Sequence, residues 1–102
     1  MLVLVAYDVC TLTRAGRRRL AQVARVAVGY GQRVQNSVFE LNIDETTWVK
    51  ARARLIEAID PREDSLRFYH LGAAGSARDE IHGVGPRVDP SAPLIFDAEG
   101  DI

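Results

Sequence analysis

The stretch LVLVAYDV, residues 2–9, decides the fold because it is apolar on both of its alternating faces and carries one carboxylate, Asp8, near its end. Its length and branched side chains are typical of a strand buried on both sides. Helices of the same chain can cover one face, so we expect a second copy or another partner to cover the other. Because an unpaired buried charge is costly, Asp8 must either reach solvent at the strand end or have a partner.

The composition is that of one globular domain. The chain has 102 residues, of which 47% are hydrophobic and 26% are charged. No apolar run approaches the roughly 20 residues that span a bilayer, and the amino terminus lacks a basic leader with a cleavage site. The single cysteine, Cys10, cannot form an internal disulfide. We therefore expect a cytoplasmic protein without a membrane segment.

The net charge of −1 conceals a segregation of charge along the chain. No Asp, Glu or Lys lies between Val9 and Phe39, and every acid other than Asp8 occurs from Glu40 onward. The intervening segment holds six arginines: Arg14, Arg17, Arg18, Arg19, Arg25 and Arg33. Arginine alone suits bidentate contacts with phosphate or carboxylate groups. A solvated helix face is an equally simple interpretation of the pattern.

The next segment predicts a helix that begins near Thr13, a suitable cap, and ends at the glycines Gly29 and Gly31. One side of this helix is apolar and holds Leu20, Val23, Ala24, Ala27 and Tyr30. The opposite side holds Arg14, Arg18 and Arg25, and the two edges between them hold Arg17 and Arg19.

The segment that follows the helix is residues 32–42, QRVQNSVFELN. It is either one bent strand or two short antiparallel strands around Asn36.

Asp44 then caps a second predicted helix, over residues 45–59, with an apolar face of Trp48, Val49, Leu55, Ile56 and Ile59. DSLRFYHL, residues 64–71, and EIHGVG, residues 80–85, predict two further strands. This order indicates an α+β fold, most economically a split βαββαβ sandwich whose antiparallel sheet carries both helices on one face. We expect residues 1–72 to form its core, and residues 73–102 to be a loop, a short strand and a tail that complete a dimer or partner contact.

Four features occur in this order and at this spacing in one known family: Asp8 after the first strand, the arginines that start the helix, GQRVQNSVFE (31–40) and EDSLRFYHL (63–71). On these residues the sequence resembles the smaller, non-integrase protein of the CRISPR spacer-acquisition pair, a family described as CRISPR-associated endoribonucleases or endonucleases. The match covers roughly the first 72 residues, and Gln35 with residues 37–40 is its most specific part. The resemblance implies a ferredoxin-like homodimer formed through the other face of the sheet.

The same resemblance implies a set of site residues. Asp8 would be the catalytic, metal-binding residue and would meet its copy across the dimer cleft. A bound Mg²⁺ or Mn²⁺ ion would offset the repulsion between the two carboxylates and would polarise the scissile phosphate. The nucleic-acid-binding residues would be Arg14, Arg17, Arg18, Arg19 and Arg33. Tyr7, Ser37 and Phe39 would support the cleft, Phe39 from the core rather than by stacking on a base.

Asp8 is followed by residues 9–13 without another carboxylate, so a metal ion has few ligands here. Two functions therefore stay open. One is a metal-dependent phosphodiesterase that acts on RNA or double-stranded DNA; the other is a non-catalytic adaptor that binds duplex DNA and bridges two copies of the CRISPR integrase. Outside the family, a ferredoxin-like regulatory module could bind small anions near Gly16. Phosphate contacts read neither base nor sugar, so they do not distinguish RNA from DNA.

Overall fold

A computed structural model describes residues 1–72 and 78–84 of the chain. Its elements are β1 (Leu2–Asp8), α1 (Arg14–Tyr30), β2 (Gln32–Gln35), β3 (Val38–Asn42), α2 (Glu45–Ala58), β4 (Ser65–Leu71) and β5 (Glu80–Gly83). The strands form one sheet in the order β2-β3-β1-β4-β5, and all neighbouring strands are antiparallel. This arrangement confirms the predicted ferredoxin-like α+β fold.

Strand β1 lies at the centre of the sheet, which explains its continuous apolar sequence. It pairs with β3 from Leu2 to Ala6 and with β4 from Leu2 to Asp8. On the helix side, Val3 and Val5 are fully buried. On the other face, Leu2 and Leu4 are only half-buried within one chain. One face of β1 is therefore covered by the chain itself, and the other is covered in part.

Both helices begin at the predicted caps. The Thr13 hydroxyl accepts a hydrogen bond from the backbone N–H of Gly16 at 3.0 Å. The Asp44 carboxylate accepts one from the backbone N–H of Thr47 at 2.7 Å. These side chains satisfy backbone donors that the first helical turn leaves unpaired. No helix within the described ranges is long and apolar enough to cross a membrane.

Helix α2 buries a narrower face than the sequence predicts. Trp48, Ala51 and Leu55 lie in the core at the three- and four-residue spacing of one helical side. The prediction that Val49 belongs to this face is wrong, since Val49 is 59% exposed. A helix turns by about 100° per residue, so the residue next to Trp48 is directed away from the sheet.

Residues 32–42 form two strands, which decides between the two alternatives that the sequence allows. The turn lies at residues 36–37, and the pairing of β2 with β3 shifts register between Arg33 and Gln35. Strand β5, predicted within residues 80–85, pairs with β4 and so extends the same sheet. The rest of the predicted tail lies outside the described residues.

His70 is a buried histidine on the helix side of β4. It is 6% exposed, its ring meets Trp48 edge-on at 5.5 Å between centroids, and its backbone N–H donates to Asp79 at 2.7 Å. Its Nε2 atom is buried without a hydrogen-bond partner in the described part of the chain. Burial, and then the positive charge of Arg78, lower the pKa of His70, and together they outweigh the opposing carboxylates of Asp79, Glu80 and Glu45.

We expect the free energy of unfolding to fall as the pH is lowered from about 6.5. The unfolded chain protonates His70 at its ordinary pKa of 6.5, whereas the fold keeps the ring neutral to lower pH. Its contribution is therefore complete above pH 6.5 and is lost as the pH falls through the lower pKa of the folded state. Urea unfolding at a series of pH values measures this.

The variant His70→Phe should flatten this pH dependence, and His82→Gln, which alters the other histidine of the chain, should retain it. An equally steep dependence in His70→Phe would show that other groups cause it.

Candidate functional site

Asp8 lies at an exposed end of the central strand. Pairing with β3 has already ended at Ala6, after which the Tyr7 N–H donates to the Ser37 carbonyl at 3.1 Å. On the β4 side, Asp8 is opposite Ser65. The Asp8 side chain is exposed. Within one chain, the carboxylate that ends the apolar run therefore reaches solvent.

Within the described residues, one chain does not surround a metal ion at this position. Residues 1–72 and 78–84 contain no group of three or more His, Cys, Asp or Glu side chains that could hold one. Magnesium, however, is usually held by one or two carboxylates, with water and substrate phosphates completing its shell. An exposed Asp8 therefore fits a magnesium-type site that is shared with a second copy and a nucleic acid.

Packed aromatic residues lie behind the end of β1. The Tyr7 ring stacks on Phe39 with 6.1 Å between centroids, and its hydroxyl donates to the Asn36 carbonyl at 3.5 Å. Burial raises the pKa of Tyr7, and the charge of Arg33 opposes this in part. Phe39 is fully buried, so it presents no face on which a base could stack. Together with Ser37, these residues fix the strand end from which Asp8 projects.

Arg33 lies on β2 beside this aromatic pair, as the register partner of Phe39. Its guanidinium carbon is 5.0 Å from the centre of the Phe39 ring, a cation–π geometry. Its Nη1 donates to the Asn36 carbonyl at 3.0 Å. The residue is exposed, so it retains donors that can reach a ligand.

Three of the predicted arginines form an exposed cationic surface on the first turns of α1: Arg14, Arg17 and Arg18. Arg17 Nη1 donates to the Thr11 carbonyl at 3.2 Å, so this side chain lies against the loop that follows Asp8. The first helical turn contains no acidic residue, and its backbone N–H groups add positive potential. This surface is therefore suited to a phosphate backbone.

Arg19 does not belong to this surface, because its guanidinium forms an ion pair with Asp64. Its Nε and Nη2 atoms donate to the Asp64 carboxylate at 2.7 and 3.3 Å, and the Asp64 side chain is fully buried. The amides of Cys10 and Asp60 donate to the same carboxylate at 3.0 and 2.8 Å. Burial alone would raise the pKa of Asp64, but these hydrogen bonds outweigh it and hold the pKa below its ordinary value.

Sequence reasoning missed Asp64 as part of the site. The available signal was an aspartate placed directly before a predicted strand, in a chain whose first helix carries only arginines as charged residues. Such a carboxylate is buried at low cost only if a cation and several N–H groups meet it.

A second ion pair, outside the predicted site, connects α2 to β5. Arg52 donates to both carboxylate oxygens of Glu80 at 2.7–3.1 Å, and His82 Nε2 lies 2.8 Å from the same group. The hydrogen bond from Arg52 outweighs burial and lowers the pKa of Glu80 to about 2. Arg52 therefore stabilises the edge strand β5.

Comparisons with known proteins agree with this fold. Residues 1–78 match the model of the family described as CRISPR associated protein Cas2. A CRISPR-associated endoribonuclease Cas2 of Rhodospirillum rubrum is 53% identical over 95 residues, which cover 93% of this chain and 100% of the relative. One of Chlorobaculum tepidum is 53% identical over 96 residues, with coverage of 94% and 100%. The crystal structure of Streptococcus pyogenes Cas2 at pH 6.5 superposes with a TM-score of 0.66 at 52% identity and covers 78% of this chain and 96% of that one.

Proposed function

This chain belongs to the CRISPR-associated Cas2 family, and on that basis we propose that it acts in CRISPR spacer acquisition as a homodimeric, metal-dependent nuclease. One observation carries the proposal. The exposed carboxylate of Asp8 ends the central strand, and the short loop of residues 9–13 connects it to the cationic surface of Arg14, Arg17 and Arg18. A carboxylate beside phosphate-binding groups is the pairing that metal-assisted phosphodiester hydrolysis needs.

The proposed dimer forms through the sheet face opposite the helices. That face carries Leu2 and Leu4, which are half-buried, and Leu71 and Ile81, which are 44% and 57% exposed. The pairing of β1 with β4 and of β4 with β5 places these side chains on one face. A second copy would cover this apolar surface and bring the two Asp8 carboxylates to a common cleft.

In the proposed mechanism, Asp8 from each subunit would hold Mg²⁺ or Mn²⁺. When bound, the ion would supply Lewis-acid polarisation of the scissile phosphate. The cationic surface of Arg14, Arg17 and Arg18, together with Arg33, would bind neighbouring phosphates and orient the backbone through charge-assisted hydrogen bonds. Tyr7 and Phe39 keep the strand end rigid behind the carboxylate. These contacts are independent of base sequence, so the substrate class is RNA or double-stranded DNA.

A second candidate function is a non-catalytic adaptor that binds duplex DNA and bridges two copies of the CRISPR integrase. The observation that favours it is the sparse ligand set, because the described ranges supply no three-residue metal cluster and residues 9–13 carry no carboxylate. In this function the cationic surface has the same role, and Asp8 is not required for assembly.

The experiment that tests phosphate binding is the salt dependence of affinity for a labelled duplex and a labelled RNA. Removing an arginine that binds a phosphate should reduce the slope of log K against log salt by roughly 1. We expect this reduction in slope for Arg17→Gln and for Arg18→Gln. Each substitution should weaken binding by a similar factor for nucleic acids of unrelated base sequence. Lys50→Gln, an exposed cation on α2, is the matched control and should leave the slope unchanged. Wild-type slopes in both arginine variants would contradict the proposed surface.

A further inference from the structure

We infer that Arg19 and Asp64 form a positioning pair that fixes the loop between β1 and α1, and with it Asp8, and that Arg19 does not contact phosphate. The inference deepens the proposed function and depends on it for the catalytic consequence. The Asp64 cluster consists of Arg19, the Asp64 carboxylate and the backbone amides of Cys10 and Asp60.

The Asp64 carboxylate joins three separate segments of the chain. Oδ1 accepts from the Cys10 amide and from Arg19 Nη2, at 3.0 and 3.3 Å. Oδ2 accepts from Arg19 Nε and from the Asp60 amide, at 2.7 and 2.8 Å. Each carboxylate oxygen therefore accepts from two donors. This single buried group connects the loop after β1, helix α1 and the loop after α2.

Two glycines allow backbone to pack closely around the cluster. A Cβ built on Gly16 would overlap the carbonyl oxygen of Cys10, so α1 and the preceding loop meet at a position that only glycine permits. A Cβ on Gly83 would overlap the carbonyl oxygen of Asp64, and Gly83 has a φ of +86°, which also favours glycine. The Asp64 carbonyl further accepts the Val84 N–H at 2.9 Å. The Cys10 N–H thus donates to Asp64, while the Cys10 carbonyl oxygen packs against Gly16.

The cluster lies on both sides of Asp8 in the fold. Cys10 follows Asp8 by two residues on the same segment. Asp64 immediately precedes Ser65, which is the register partner of Asp8 on β4. The fixed loop also supplies the Thr11 carbonyl to which Arg17 donates. The conformation of the cluster therefore sets the direction of Asp8 and of one exposed arginine.

Arg19 is poorly suited to bind phosphate itself. Two of its donors are committed to Asp64, whose negative charge offsets its own. Moving the guanidinium to a phosphate would leave a buried carboxylate without its cation, which is strongly unfavourable. Arg17 and Arg18 carry no such constraint, since both are exposed.

The first test measures how firmly the cluster holds the loop after β1, and it does not depend on any catalytic activity. In the intact protein, hydrogen exchange of the Cys10 amide reports whether Asp64 still holds the loop. We expect Arg19→Gln and Asp64→Asn each to speed this exchange by roughly tenfold or more, and the double variant to add little because both break one unit. Arg19→Lys should restore part of the protection. Arg18→Gln, one residue away on α1, is the control and should leave it unchanged.

Low concentrations of urea separate local opening from global instability. Exchange through opening of the loop should be almost independent of urea, whereas exchange through global unfolding should follow the urea dependence of unfolding. Unchanged Cys10 protection in Arg19→Gln and Asp64→Asn, or exchange that occurs only through global unfolding, would overturn the inference.

The second test separates positioning from phosphate contact. In Arg19→Gln we expect kcat for metal-dependent cleavage to fall roughly 10- to 100-fold, with the salt slope of duplex binding unchanged because Arg17 and Arg18 keep their charges. A phosphate contact would instead reduce the slope by roughly 1 and leave Cys10 exchange as in the wild type; that pattern would overturn the inference. If the wild-type protein cleaves nothing, the proposed nuclease function fails, while the exchange measurement still decides the role of the cluster.

Discussion

Asp8→Asn should lose metal-dependent cleavage of nucleic acid by roughly 10²- to 10³-fold, because a metal ion contributes several kcal/mol of transition-state stabilisation and each 1.4 kcal/mol is about tenfold in rate. The amide keeps the shape of the side chain and removes the charge that a hard cation requires. Asp8 is exposed, so the fold and the stability should be nearly unchanged, within about 0.5 kcal/mol.

Single-turnover cleavage of end-labelled RNA and duplex DNA measures this loss, and light scattering shows whether the oligomeric state is retained. Glu63→Gln is the matched control, since Glu63 is another exposed carboxylate, in the turn before β4. It should cleave at the wild-type rate. Cleavage by Asp8→Asn at that same rate would show that the carboxylate is not catalytic.

Trp48→Ala should lower the free energy of unfolding by about 3–5 kcal/mol, the usual cost of truncating a large buried aromatic side chain. Trp48 is 2% exposed and meets Phe68 edge-on at 4.9 Å between centroids and His70 at 5.5 Å. Its removal leaves a cavity between α2 and β4 that rigid neighbouring elements can fill only in part. Such a loss is a large fraction of the stability of a small domain.

Urea unfolding at equal protein concentrations, followed by far-ultraviolet circular dichroism, measures the change, because Trp48 is the single tryptophan and its fluorescence is lost with it. Val49→Ala is the adjacent control and should cost less than about 0.5 kcal/mol, since Val49 is mostly exposed. Trp48→Phe should lie between the two and keeps the comparison possible if the alanine variant does not fold. Equal losses in Trp48→Ala and Val49→Ala would contradict the described packing of α2.

Local chemistry made most of the fold predictable. Thr13 and Asp44 have the side chains that cap helices, and the unbroken apolar run of β1 is what a central strand requires. The turn near Asn36 stayed open because bent strands and hairpins share the same residue types, and only the antiparallel pairing of β2 with β3 distinguishes them. Val49 was placed wrongly because a valine beside a buried stripe has the same local pattern as one within it.

The candidate site was predictable only where it depends on neighbouring residues in the chain. The exposure of Asp8 follows from its position at a strand end, and that of Arg14 and Arg18 from the helical period. The pairing of Arg19 joins residues 45 positions apart, and nothing in either segment alone indicates it. The proposed metal site takes one Asp8 from each of two copies. The sequence of one chain does not indicate how the two copies would be arranged.

The most direct test of the proposed nuclease function is cleavage of a labelled RNA and a labelled duplex DNA by the purified protein, with magnesium and with a chelator. We expect cleavage of at least one substrate in magnesium and none with the chelator, which would also identify the substrate class. Binding that weakens steeply with salt but is accompanied by no cleavage in magnesium or manganese would contradict the nuclease function and leave duplex binding as the activity of this surface.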